Sequence, residues 1–128
     1  MRKLFFSYAQ ADKDFASELG QELSELGYEV WVGSETLLWG ESLFERTQDA
    51  LRAADAVVIL LSQSSLKSQW LAFEVGAAVA QGKRVLPIQL GKLTEPLNVP
   101  IQQFQWFIEE RRDAKGTAQK LHQALSEA

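Results

Sequence analysis

Ala56-Val57-Val58-Ile59-Leu60-Leu61 is apolar at every position and runs straight into the polar stretch Ser62-Gln63-Ser64-Ser65. A strand with one wet face alternates apolar and polar residues, whereas an unbroken apolar run of this length is what a strand covered by helices on both faces needs. Residues 56–61 are therefore predicted to lie near the centre of a parallel sheet. Upstream, Leu4-Phe5-Phe6-Ser7-Tyr8 reads as a first buried strand that ends in hydroxyl groups. After it, Phe15, Leu19, Leu23 and Leu26 recur on one helical face, with Asp12 placed as N-cap and Gly27 as terminator. A second strand is predicted over 28–32 and a loop over 33–41; Ser42-Leu43-Phe44-Glu45 is a capping box opening a helix to about 53, with Phe44, Thr47 and Leu51 inward. Downstream, a helix over 66–81 closed by Gly82 precedes a strand over 84–90, in which Pro87 argues for a bulge or irregular pairing. A loop over 91–100, a short strand over 103–108 and a helix over 114–127 with Leu121 and Leu125 inward complete the pattern.

Strands separated by helices imply right-handed crossovers and helices on both faces of a parallel sheet. The fold class predicted is α/β, a flavodoxin-like three-layer sandwich. A chain of 128 residues fits one domain, able to bury about two-thirds of its unfolded surface. Its 46% apolar and 23% charged content excludes disordered and fibrous classes. The absence of cysteine removes disulfide and thiolate-metal readings, and His122 as the single histidine leaves little for zinc or a Ser-His-Asp triad. No metal is expected, and His122 reads as a surface or packing residue. A net charge of −4, with no basic run longer than Lys83-Arg84 or Arg111-Arg112, argues against nucleic acid. No run has the length of a signal peptide core or a membrane span, so a cytoplasmic protein with no membrane partner is expected.

Ligands of open parallel sheets bind beyond the carboxyl ends of the strands. Here those ends carry Ser7-Tyr8-Ala9-Gln10, Gly33-Ser34-Glu35 and Ser62-Gln63-Ser64-Ser65. Small hydroxyl and amide groups donate to phosphate and sugar oxygens and suit a nucleotide-like ligand; the same residues also serve ordinary turns and caps. Receiver-type phosphoacceptor chemistry is excluded, because Ser7-Tyr8 and Ser62 stand where it needs acids. Lysine-containing phosphate loops and Gly-x-Gly-x-x-Gly fingerprints are absent.

Ser68-Gln69-Trp70-Leu71-Ala72-Phe73-Glu74 sets a carboxylate between Phe73 and Val75, one helical turn from an indole. An ionised carboxylate on an apolar face costs free energy unless it has a task; on the other reading it is a solvated helix glutamate. Trp70 either walls a pocket beside Glu74 or packs in the core. Leu37, Leu38 and Trp39 form an apolar patch if exposed, and otherwise fold back over the sheet edge.

Seven weak motifs fall in one order: Phe6-Ser7-Tyr8 with Asp12, Gly27-Tyr28-Glu29-Val30-Trp31, a loop ending at Gly40, Ala54-Asp55-Ala56-Val57, Leu60-Leu61-Ser62, Ser68-Gln69-Trp70 with Glu74, and Val85-Leu86-Pro87-Ile88. In that order they resemble a TIR domain, the Toll/interleukin-1 receptor and resistance-protein module, of bacterial type. The resemblance implies a five-stranded sheet in the order 2-1-3-4-5, a tolerated proline at Pro87 and a single TIR domain over 1–128. It also implies two activities, cleavage of the nicotinamide–ribose bond of NAD and TIR–TIR self-association. Glu74 is then the expected catalytic carboxylate, with Ser7, Tyr8, Gly33, Ser34, Glu35, Trp39, Ser62 and Trp70 around the substrate. Leu37, Leu38, Trp39 and Gly40 fall in the loop that members use for assembly and for gating the pocket. NAD enters as substrate and no cofactor is implied; a fused or separate sensor or effector, and a role in bacterial defence or virulence, are. Two departures stand out: Gly33 where many catalytic members carry aspartate, with Glu35 two positions on, and Ala9-Gln10 where they carry a basic residue. The alternative implied by the same resemblance is a non-catalytic adaptor working through the 33–41 loop.

Overall fold

The computed structural model describes residues 2–32, 49–65, 76–93, 107–109 and 112–126. Along the chain these form β1 (Lys3–Ser7), a 3-10 turn (Gln10–Asp12), α1 (Lys13–Glu25), β2 (Glu29–Val32), helical residues 49–53 (α2), β3 (Ala56–Leu61), helical residues 76–80 (α3), β4 (Arg84–Gln89), β5 (Phe107–Ile108) and α4 (Ala114–Ser126). The strands make one parallel sheet in the order β2-β1-β3-β4-β5. β3 is central, as its composition predicts, and all six of its side chains are buried.

Alternation along β3 divides the core. Ala56, Val58 and Leu60 face a cluster with Leu4 and Phe6 of β1, Phe15, Ala16, Leu19 and Leu23 of α1, and Ala118, Leu121 and Leu125 of α4. Val57, Ile59 and Leu61 face the other way, against Phe5, Leu51, Ala54, Ala78 and Val85. Helices thus cover both faces, and each buried Leu, Ile, Val or Phe contributes about 1.5–3 kcal/mol relative to exposure. On the second face Phe5 stacks on Trp31 with ring centroids 4.9 Å apart.

Two glycines end helices as expected. Gly27 has φ +96°, Tyr28 N–H donates to Leu23 O and Gly27 N–H to Ser24 O, the paired bonds of a Schellman motif. Gly82 repeats it, with φ +69°, Lys83 N–H to Ala78 O and Gly82 N–H to Val79 O. Leu26 corrects the periodicity: α1 stops at Glu25, Leu26 becomes its C-cap and is 42% exposed, and Ala16 joins the inner face instead. Pro87 causes no bulge in the β3 pairing, whose register is unbroken from Arg84 to Gln89. Leu90 N–H reaches Leu61 O, and Glu109 N–H reaches Gln89 O. Odd-numbered residues of β4 therefore turn their backbone groups away from β3, so the missing Pro87 donor removes no bond from the β3 ladder.

Of the short strand predicted over 103–108, Phe107–Ile108 is described. The capping box at 42–45, with Phe44 and Thr47, lies outside the described residues. No helix among the described residues is long and apolar enough to cross a membrane.

Candidate functional site at the carboxyl end of the sheet

The strand order reverses between β1 and β3, whose chains leave the sheet toward opposite faces. A crevice forms at the carboxyl ends of such a pair. Ser7 ends β1 and pairs with Ile59, three residues before Ser62. The predicted serines thus flank the reversal. Both are interior, Ser7 at 0% and Ser62 at 3% exposure, whereas Tyr8 is half-buried and packs against the α1/α4 side of the core.

Ser62 and Ser65 tie the turn after β3 into a knot. Ser62 N–H donates to Ser65 Oγ at 2.8 Å, Ser65 Oγ donates to Ser62 O at 2.9 Å, and Ser65 N–H donates to Ser62 Oγ at 3.2 Å. The Ser62 hydroxyl donates a hydrogen bond to Asp12 Oδ2 at 2.5 Å. Ser62 is buried at the carboxyl end of β3, where burial demands these bonds.

Asp12 stands where its sequence reading puts it, but its side chain bonds elsewhere. It occupies the N-cap position of α1 but makes no side-chain bond to the helix backbone. Its carboxylate, 2% exposed, instead joins Ser62 to Arg112, whose Nη1 donates to Oδ1 at 3.1 Å. A buried carboxylate with both oxygens engaged by other loops is worth more there than a single cap bond. Arg112 precedes α4 and has φ +51°, the left-handed region that disfavours non-glycine residues. Asp113 follows and caps α4, its Oδ1 accepting from Gly116 N–H at 3.2 Å. One turn on, Thr117 Oγ1 lies 2.7 Å from Asp113 O and 3.2 Å from buried Glu109 Oε2, which Lys120 Nζ approaches at 3.9 Å.

Sequence reasoning missed Arg112 and the linking role of Asp12. The only local signal was the basic doublet Arg111-Arg112, and nothing in it points to a partner 100 positions away. Gly33, Ser34, Glu35, Leu37, Leu38, Trp39, Gly40, Trp70 and Glu74 lie outside the described residues. Among the described residues no group of three or more His, Asp or Glu side chains could hold a metal ion. His122 sits elsewhere, its Nδ1 2.7 Å from Tyr28 Oη and its ring edge-on to the tyrosine, a packing role.

The chain matches the family model described as TIR domain over residues 4–125. It is 36% identical over 90 residues to the 2′ cyclic ADP-D-ribose synthase AbTIR of Acinetobacter baumannii, covering 66% of this chain and 34% of that protein. It is 33% identical over 90 residues to the NAD(+) hydrolase TcpC of Escherichia coli, covering 66% of this chain and 29% of that protein. The chain thus spans about a third of the length of these curated relatives. Its fold is similar to the TIR domain of the Toll-related receptor TRR-2 from Hydra magnipapillata, with TM-score 0.74 and 16% identity over 96% of this chain and 97% of that one.

Proposed function

This chain belongs to the TIR domain family, and from that premise we propose that it cleaves the nicotinamide–ribose bond of NAD at the β1/β3 crevice. The observation that carries the reading is the placement of Ser7, Tyr8 and Ser62 at the strand-order reversal, where a parallel sheet receives a nucleotide. Relatives named as an NAD(+) hydrolase and as a 2′ cyclic ADP-D-ribose synthase support it, because both reactions break the same bond.

The chemistry needs little from the protein. Nicotinamide in NAD is a cationic leaving group; when its bond to C1′ breaks, the electron pair goes to the ring nitrogen and neutral nicotinamide departs without a general acid. An ordinary glycoside needs two carboxylates for the same task. One carboxylate suffices to stabilise the oxocarbenium character at C1′, an electrostatic contribution of about 100-fold or more in rate. We assign that carboxylate to Glu74, which falls within the helix predicted over 66–81. Water attacking C1′ and losing a proton gives ADP-ribose; a hydroxyl of the ADP-ribosyl group attacking in its place gives a cyclic product. We assign Tyr8, Trp70 and Trp39 to the rings of the substrate, with Gly33, Ser34 and Glu35, which follow β2 in the sequence, as further substrate-binding residues. The interior serines Ser7 and Ser62 form the floor of the crevice.

Activity is switched by self-association through Leu37, Leu38, Trp39 and Gly40 of the loop after β2, which completes the pocket. Nicotinamide release from NAD by the wild-type chain and by Glu74→Ala, at dilute and at crowded concentrations, tests the whole reading. Release that rises with concentration and vanishes in the variant is expected. Self-association without release at any concentration would instead favour an adaptor acting through the 33–41 loop.

A further inference from the structure

We propose that Arg112 is the phosphate-binding cation of the crevice, held by Asp12 to receive the pyrophosphate of a dinucleotide; this rests on the NAD reading above. The ion pair is lopsided. Asp12 is 2% exposed, while the Arg112 side chain is 46% exposed, so the carboxylate is an interior anchor and the cation faces outward. Guanidinium carries five N–H donors in a planar fork that matches phosphate oxygens. Among the described residues it spends one of them, Nη1 to Asp12 Oδ1.

Placement gives the cation its task. The other Asp12 oxygen accepts from Ser62, one residue beyond β3, so the anchored edge of the guanidinium lies at the strand-order reversal. The backbone holds Arg112 at φ +51°, a conformation costing a non-glycine residue about 1–2 kcal/mol. Glycine would fit that turn without strain, but would bring no charge. The chain as a whole has net charge −4, so a polyanionic ligand needs a local cation to overcome the general repulsion.

The test compares a ligand that has phosphates with one that lacks them. Amide-shift titrations with ADP-ribose and with adenosine are run on the wild type, Arg112→Gln and Arg112→Lys. Losing a charge-assisted phosphate contact weakens ADP-ribose binding about tenfold or more in Arg112→Gln, leaves adenosine unchanged, and gives an intermediate loss in Arg112→Lys. Rising salt weakens ADP-ribose but not adenosine binding to the wild type, which keeps the proposal testable if a variant fails to fold. Equal ADP-ribose affinity in Arg112→Gln, equal losses for both ligands, or no salt effect overturns it. A tenfold loss for ADP-ribose in a chain that releases no nicotinamide retains the phosphate site and rejects the catalytic reading; nicotinamide release with an unchanged KM in Arg112→Gln does the reverse.

Discussion

The two ends of the sheet differ in how far their polar side chains reach from one connection to another. At the amino end, polar side chains serve the backbone. Asp55 Oδ2 accepts from Lys3 N–H at 2.7 Å, Lys83 Nζ donates to Arg52 O and Ala54 O at 2.9 and 2.8 Å, Arg84 reaches Ala124 O at 2.7 Å, and Arg2 reaches Leu125 O. With the glycine turns at Gly27 and Gly82, these bonds satisfy groups that helices and strands leave over where they stop. At the carboxyl end, side chains also bond one another: Ser62, Asp12 and Arg112 form one line across three connections, with Ser65 tied to Ser62 through backbone groups. Termination can be met by local contacts. A site must bring distant loops together, and buried polar links do that at the cost of needing every member satisfied.

Substitutions can break or sharpen this contrast, beginning with the centre that both ends share. Leu60→Ala should cost about 2–5 kcal/mol through the cavity left in the α1/α4 face, lowering the urea midpoint without favouring either end. Asp12→Ala should cost about 1–3 kcal/mol, since it leaves the buried Ser62 hydroxyl and the Arg112 cation without their acceptor. Nicotinamide release per folded molecule should fall with it, whereas an amino-end substitution of equal cost should leave that ratio alone. Gly27→Ala is such a substitution: at φ +96° it should cost about 1–2 kcal/mol by strain alone, read as a lower midpoint with unchanged turnover of the folded fraction. Tyr28→Phe, which removes the bond to His122, should cost about 0.5–1.5 kcal/mol and likewise spare activity.

The same contrast explains how much could be read from the residues alone. The six apolar residues of β3, the helical spacing of Phe15, Leu19 and Leu23, and the glycines after two helices are local signals, and the fold follows them closely. Leu26 was misplaced because periodicity does not report where a helix stops. Ser7 and Ser62 could be located as strand ends, since topology fixes where such ends lie. Asp12 was legible as the N-cap residue but the partners of its carboxylate were not, because they are a hydroxyl 50 positions away and a guanidinium 100 positions away. Arg112 carries no local signal for its left-handed backbone either, since glycine or asparagine is the usual mark of that conformation.

The central claim is that this chain receives a dinucleotide at the carboxyl end of its sheet. Backbone amide shifts recorded while ADP-ribose is added to the wild-type chain test it most directly. The account predicts that the amides of Ser7, Tyr8, Asp12, Ser62, Ser65 and Arg112 move together and saturate, while those of Gly27, Tyr28, Gly82 and His122 stay in place. Saturating shifts confined to the amino-end set, or no shifts at any ligand concentration, would contradict it.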